Sequence, residues 1–162
     1  MKKTGFTLVE ILIVVIILGI LAAIVIPQFT SASESAKESN LKSDLLTLRN
    51  QCELYRVQHG DNYPWEMDSA TAETVVTQLT VKTNSAGDTS GSDLKFGPYL
   101  DKMPTNLFVK DAGGAGAAAA DQFKFGAASG VGDGATGWYI DTDNNRIYPN
   151  SNKTKYPEHA DF

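Results

Sequence analysis

One carboxylate, that of Glu10, lies about one helical turn inside a long apolar segment near the start of the chain. A basic and polar lead precedes this segment, and residues 11 to 26 are all Ile, Leu, Val or Ala apart from one glycine. A charge placed centrally in a membrane costs about 2.5 to 3.5 kcal/mol on insertion scales, and such groups usually have a partner. The Glu10 carboxylate is therefore expected to pair with a positively charged group, unless its side chain reaches the lipid headgroups.

A second candidate for chemistry is the segment 141–145, in which acids and amides supply the hard oxygen ligands that calcium prefers. Arg146 stands where an EF-hand loop has glycine, and Asn152 stands where it has its final glutamate, so an EF-hand is excluded. Two hypotheses remain for Asp141 and Asp143. They are calcium ligands, or they belong to a plain turn.

The other reactive side chains form no catalytic pattern. Cys52 lies on an apolar helical stripe and is predicted to be a small core residue. His59 and His159 lie far apart, with no acid or cysteine at metal-ligand spacing, and are predicted to lie at a helix end and in the tail. The sequence shows no paired acids and no Ser-His-Asp arrangement. It therefore predicts neither an enzyme nor a bound cofactor.

Two glycine-rich runs, residues 111–120 and 126–137, raise the question of a phosphate-binding loop. Neither run is followed by the Gly-Lys-Ser/Thr sequence of such a loop, so both are predicted to be flexible loops. The formal net charge of −5 and the scattered lysines and arginines argue against nucleic acid as a partner.

The apolar segment is long enough to span a membrane. From Phe6 to Phe29 the only charge is Glu10, and this stretch makes about 36 Å of helix, against about 30 Å of hydrocarbon. Basic residues precede it and none follows between residues 28 and 35, which places the N-terminus in the cytoplasm and the rest of the chain outside. A secretory signal has a shorter apolar region, and a plain single-span anchor leaves Glu10 without a partner.

Beyond Phe29 the pattern becomes amphipathic, and the helix is predicted to continue to about residue 59. Apolar residues recur at helical spacing on one face, which should pack on the head: Leu41, Leu45, Leu48, Cys52 and Tyr55. Gly19 weakens its turn and Pro27 deletes one backbone hydrogen bond, so bending or local melting is expected between them.

The rest of the chain is predicted to form a small α+β head. Ser69 is a candidate cap for a short helix through Leu79. Three short strands are predicted at residues 122–125, 138–140 and 146–148, in an antiparallel sheet laid on the amphipathic half of the long helix.

The start of the chain resembles a known family. Lys2-Lys3-Thr4-Gly5 followed by Phe6-Thr7-Leu8-Val9-Glu10 is similar to the class III signal of type IV pilins and type II secretion pseudopilins. The resemblance implies that a prepilin peptidase cuts between Gly5 and Phe6 and methylates the new N-terminus. It also implies that Glu10 pairs with the new amine of a neighbouring subunit, and that Gly19 and Pro27 are the helix-weakening positions of the family.

The resemblance also implies a division of the chain and a lollipop-like fold, with the long helix as the stick. The predicted parts are a leader (1–5), a transmembrane and filament-core half-helix (6–29), an amphipathic half-helix (30–60) and a globular head (61–162). Residues 96–104, "FGPYLDKMP", resemble a segment of major pseudopilins, which favours a type II secretion pseudopilus over the alternative, a type IV pilus. Major pseudopilins often bind calcium in a C-terminal loop that carries aspartates.

The implied function is that of a filament subunit that catalyses no reaction. Its implied partners are copies of itself, the prepilin peptidase, and an inner-membrane assembly platform with its ATPase. The subunit lies in the inner membrane before assembly, and the filament lies in the periplasm or on the cell surface. The alternative from another class is a monomeric, membrane-anchored binding domain.

Overall fold

The computed structural model describes residues 5–67, 70–109, 121–154 and 156–162. Its helices are α1 (Leu8–Gln58) and α2 (Ala72–Thr80), and its strands are β1 (Phe123–Gly126), β2 (Trp138–Asp141) and β3 (Arg146–Pro149). Short 3-10 turns lie at Pro64–Glu66, Ala128–Gly130 and Pro157–Asp161. The predicted α+β composition is confirmed. By contacts, the chain divides into two compact units, Met1–Ser39 and Asn40–Phe162, here called the N-terminal and C-terminal units.

In the N-terminal unit, the described aliphatic side chains of α1 are all solvent-exposed. By length and composition, α1 contains a stretch that is able to cross a membrane, with a mean hydropathy of 3.3 over 18 residues. The helix is continuous through Gly19 and Pro27. The Thr30 hydroxyl donates to the Ile26 carbonyl at 3.1 Å, one turn back. The flexibility expected at Gly19 and Pro27 stays a prediction.

The C-terminal unit is built on the second half of α1. The stripe predicted from the spacing of apolar residues is confirmed, because all five of its side chains are buried: Leu41, Leu45, Leu48, Cys52 and Tyr55. They share one core with residues of α2 and of the sheet: Val75, Leu79, Phe123, Trp138, Ile140 and Ile147. Helix α2 is capped by Thr71, whose hydroxyl accepts from the Thr74 N–H. Ser69, the predicted cap, lies outside the described residues.

The sheet is mixed, so the prediction of an antiparallel sheet was wrong for β1. β2 is central and pairs antiparallel with β3, with Ile140 opposite Ile147. β1 pairs with β2 in parallel, with Phe123 opposite Trp138. The short turn after Asp141 suffices for a hairpin, whereas residues 127–137 come close to the dozen or so residues that a crossover between parallel strands needs. This length leaves room for the chain to cross back and enter β2 in the same direction as β1.

The second glycine-rich run packs on the fold instead of forming a free loop. The buried Tyr139 hydroxyl donates to the Ala127 carbonyl at 2.9 Å. A Cβ atom on Gly126 or Gly130 would lie 2.4 or 2.2 Å from that hydroxyl oxygen, too close for any side chain. The glycines at these two positions therefore admit the Tyr139 ring. The whole of the first run, residues 111–120, lies outside the described residues.

Replacing Gly130 with alanine is expected to destabilise the C-terminal unit by about 1 to 3 kcal/mol, because the added methyl group overpacks against Tyr139. The midpoint of thermal unfolding of the detergent-solubilised chain, followed by tryptophan fluorescence, measures the effect. Ser129→Ala at an exposed position of the same turn is the matched control and should unfold like the parent. Equal midpoints for Gly130→Ala and Ser129→Ala would contradict the packing argument.

Candidate assembly site at the start of the N-terminal helix

Glu10 lies in the first turn of α1 and is hydrogen-bonded to Thr7, the residue just before the helix. The backbone N–H and the hydroxyl of Thr7 both donate to Glu10 Oε2, each at 2.8 Å. The Glu10 N–H donates to the Thr7 hydroxyl oxygen at 3.3 Å. This reciprocal arrangement is a capping box, which satisfies donors that the first turn of a helix otherwise leaves open.

Sequence reasoning missed the role of Thr7, although its signal was present. A Thr-x-x-Glu sequence directly before an apolar run marks a helix start, and residues 7 to 10 read Thr-Leu-Val-Glu. The Glu10 carboxylate thus has partners within its own chain. Both hydrogen bonds use Oε2, and among the described residues no donor reaches Oε1. Among the described residues, one carboxylate oxygen is therefore open to a further donor.

Gly5 and Phe6 precede the helix in non-helical, exposed backbone, and the Phe6 side chain is 85% exposed. A Cβ atom on Gly5 would meet nothing within 4 Å. The fold of this chain therefore does not require glycine at position 5. A requirement for glycine there has to come from another molecule that recognises this segment. The lysines of the predicted leader lie outside the described residues.

Asp141 and Asp143 lie at the turn between β2 and β3. The buried Asp141 carboxylate accepts from the Asp143 N–H at 3.0 Å and from the Asn144 amide at 2.7 Å, while Asp143 is exposed. Each oxygen of Asp141 is therefore already used by the turn. Within the described ranges, no group of three or more His, Cys, Asp or Glu side chains is placed to hold a metal ion.

The remaining reactive side chains are core residues of the C-terminal unit. Cys52 is buried, and burial, followed by the charge of Glu53, raises the pKa of its thiol, which leaves it unreactive. His59 follows α1 directly but is also buried: its ring bonds the Tyr55 carbonyl at 2.9 Å and the Thr83 hydroxyl at 3.0 Å. His159 is buried as well, with its ring against that of Phe108.

Comparison with known proteins agrees with this geometry. Residues 1–26 match the prokaryotic N-terminal methylation motif. The type II secretion system core protein G of Vibrio cholerae is 30% identical over 110 residues, 68% of each chain. That of Pseudomonas aeruginosa is 32% identical over 105 residues, 65% of this chain and 68% of the relative. That of Escherichia coli is 27% identical over 110 residues, 68% and 70% of the two chains. No solved structure matches significantly.

A methylation motif at the head of a long apolar helix, followed by a small α+β unit, defines the prepilin class of proteins. Within that class, the chain belongs to the type II secretion system core protein G family. The resemblance to pseudopilins seen in the sequence is confirmed.

Proposed function

We propose that this chain is the repeating subunit of a type II secretion pseudopilus, made as a prepilin and polymerised after its leader is removed. The observation that carries the proposal is the methylation motif of residues 1–26, in a chain 30% identical to a core protein G over 68% of both lengths. The role is structural. The assembly platform and its ATPase supply the work, and the growing filament acts as a piston for secreted proteins.

Processing follows from the exposed, non-helical segment around Gly5 and Phe6. A prepilin peptidase cuts between them and methylates the amine of Phe6. The cut removes Lys2 and Lys3, which changes the formal net charge from −5 to −7 and frees the helix from its cytoplasmic anchor. Before the cut, the helix spans the inner membrane with the lysines in the cytoplasm and the C-terminal unit outside. The filament then lies in the periplasm or reaches the cell surface.

Assembly uses the carboxylate of Glu10. Within the part of the chain that the structure describes, the capping box holds Glu10 Oε2 and leaves Oε1 open to a further donor. The amine of Phe6 on a neighbouring copy is such a donor and carries the positive charge that the acid lacks. Their attraction is strong where water is excluded, although desolvation offsets much of it. The pair therefore sets the register between subunits more than it sets the total strength of the filament.

Deleting the gene tests the proposal. Loss of secretion, with the exported substrates retained in the periplasm and with type IV pili still present, is the expected outcome. Loss of pili with normal secretion would instead assign the chain to a type IV pilus. In the parent strain, which keeps the gene, a monomeric anchored binding domain would stay unpolymerised in membranes that contain a complete secretion platform.

Two alternatives stand for the β2–β3 turn: a calcium site with Asp141 and Asp143 as ligands, or a plain turn. The described residues support a plain turn better, because Asp141 already caps the turn with both oxygens. We therefore expect the midpoint of thermal unfolding to be the same in chelator and in about 1 mM calcium, the range of weak extracellular sites. A rise of several degrees in calcium that is lost in Asp143→Asn would establish the site instead.

A further inference from the structure

We draw no further inference here: the strongest candidate, the surface patch of exposed apolar side chains Leu46, Leu54 and Val57 on the second half of α1, carries nothing, because nothing in the part of the chain that the structure describes shows what covers it.

Discussion

Filaments are expected to disappear when Glu10 is replaced by alanine, although the precursor is still cut between Gly5 and Phe6. Removing one partner of a buried charge pair costs about 3 to 5 kcal/mol, because the other charge is left without compensation. Each tenfold change in an association constant corresponds to about 1.4 kcal/mol, so the affinity between subunits should fall more than a hundredfold. Electron microscopy of sheared material measures the loss of filaments. The size of the chain on a gel shows separately that cleavage still occurs.

The matched variant Glu10→Gln separates the charge from the capping box. A glutamine at this position still accepts the hydrogen bonds from Thr7, as glutamine does in other capping boxes, but it carries no charge. We expect Glu10→Gln to fail in assembly nearly as completely as Glu10→Ala, while Glu34→Gln, at an exposed acid of the same helix, assembles normally. Normal filaments from Glu10→Gln would show that the acid serves only to cap its own helix.

Processing is expected to stop when Gly5 is replaced by alanine, and secretion should be lost with it. Since a Cβ atom at position 5 meets nothing within 4 Å, the substitution leaves the fold of this chain undisturbed. Processing is therefore lost because the peptidase no longer recognises the segment. The precursor should accumulate in the membrane with its leader attached, and no filament should form.

Thermal unfolding provides the control for this variant. Gly5→Ala and the parent precursor, each purified from cells without the peptidase, should unfold at the same temperature. If Gly5→Ala is cut at the normal rate, the proposed cleavage site is wrong. If it stays uncut and secretion continues, the chain acts without processing and a monomeric anchored protein becomes the better description.

The sequence predicted the elements of this fold better than their arrangement. The spacing of apolar residues identified the buried stripe of α1, because one face of a helix repeats every three or four residues. The three strands were placed within a residue or so of their observed bounds. The direction of β1 was missed, because it depends on the path of residues 127–137. That path is fixed by distant contacts, such as the Gly132 and Asp133 N–H groups donating to Asn150.

At the candidate sites too, local features could be predicted from the sequence, whereas contacts between distant residues could not. The position of Glu10 in an apolar run is a local signal, and so was the Thr7 capping box that the sequence analysis overlooked. The glycines around Tyr139 were interpreted as a flexible loop, because composition alone does not show which ring they admit.

Mass spectrometry of the N-terminus of the chain in native filaments tests the central claim most directly. The mature chain should begin at Phe6 and carry one additional methyl group on its amine, with residues 1–5 absent. A functional filament whose subunits begin at Met1, with both lysines of the leader in place, would contradict the account, because Glu10 would then have no new amine to meet.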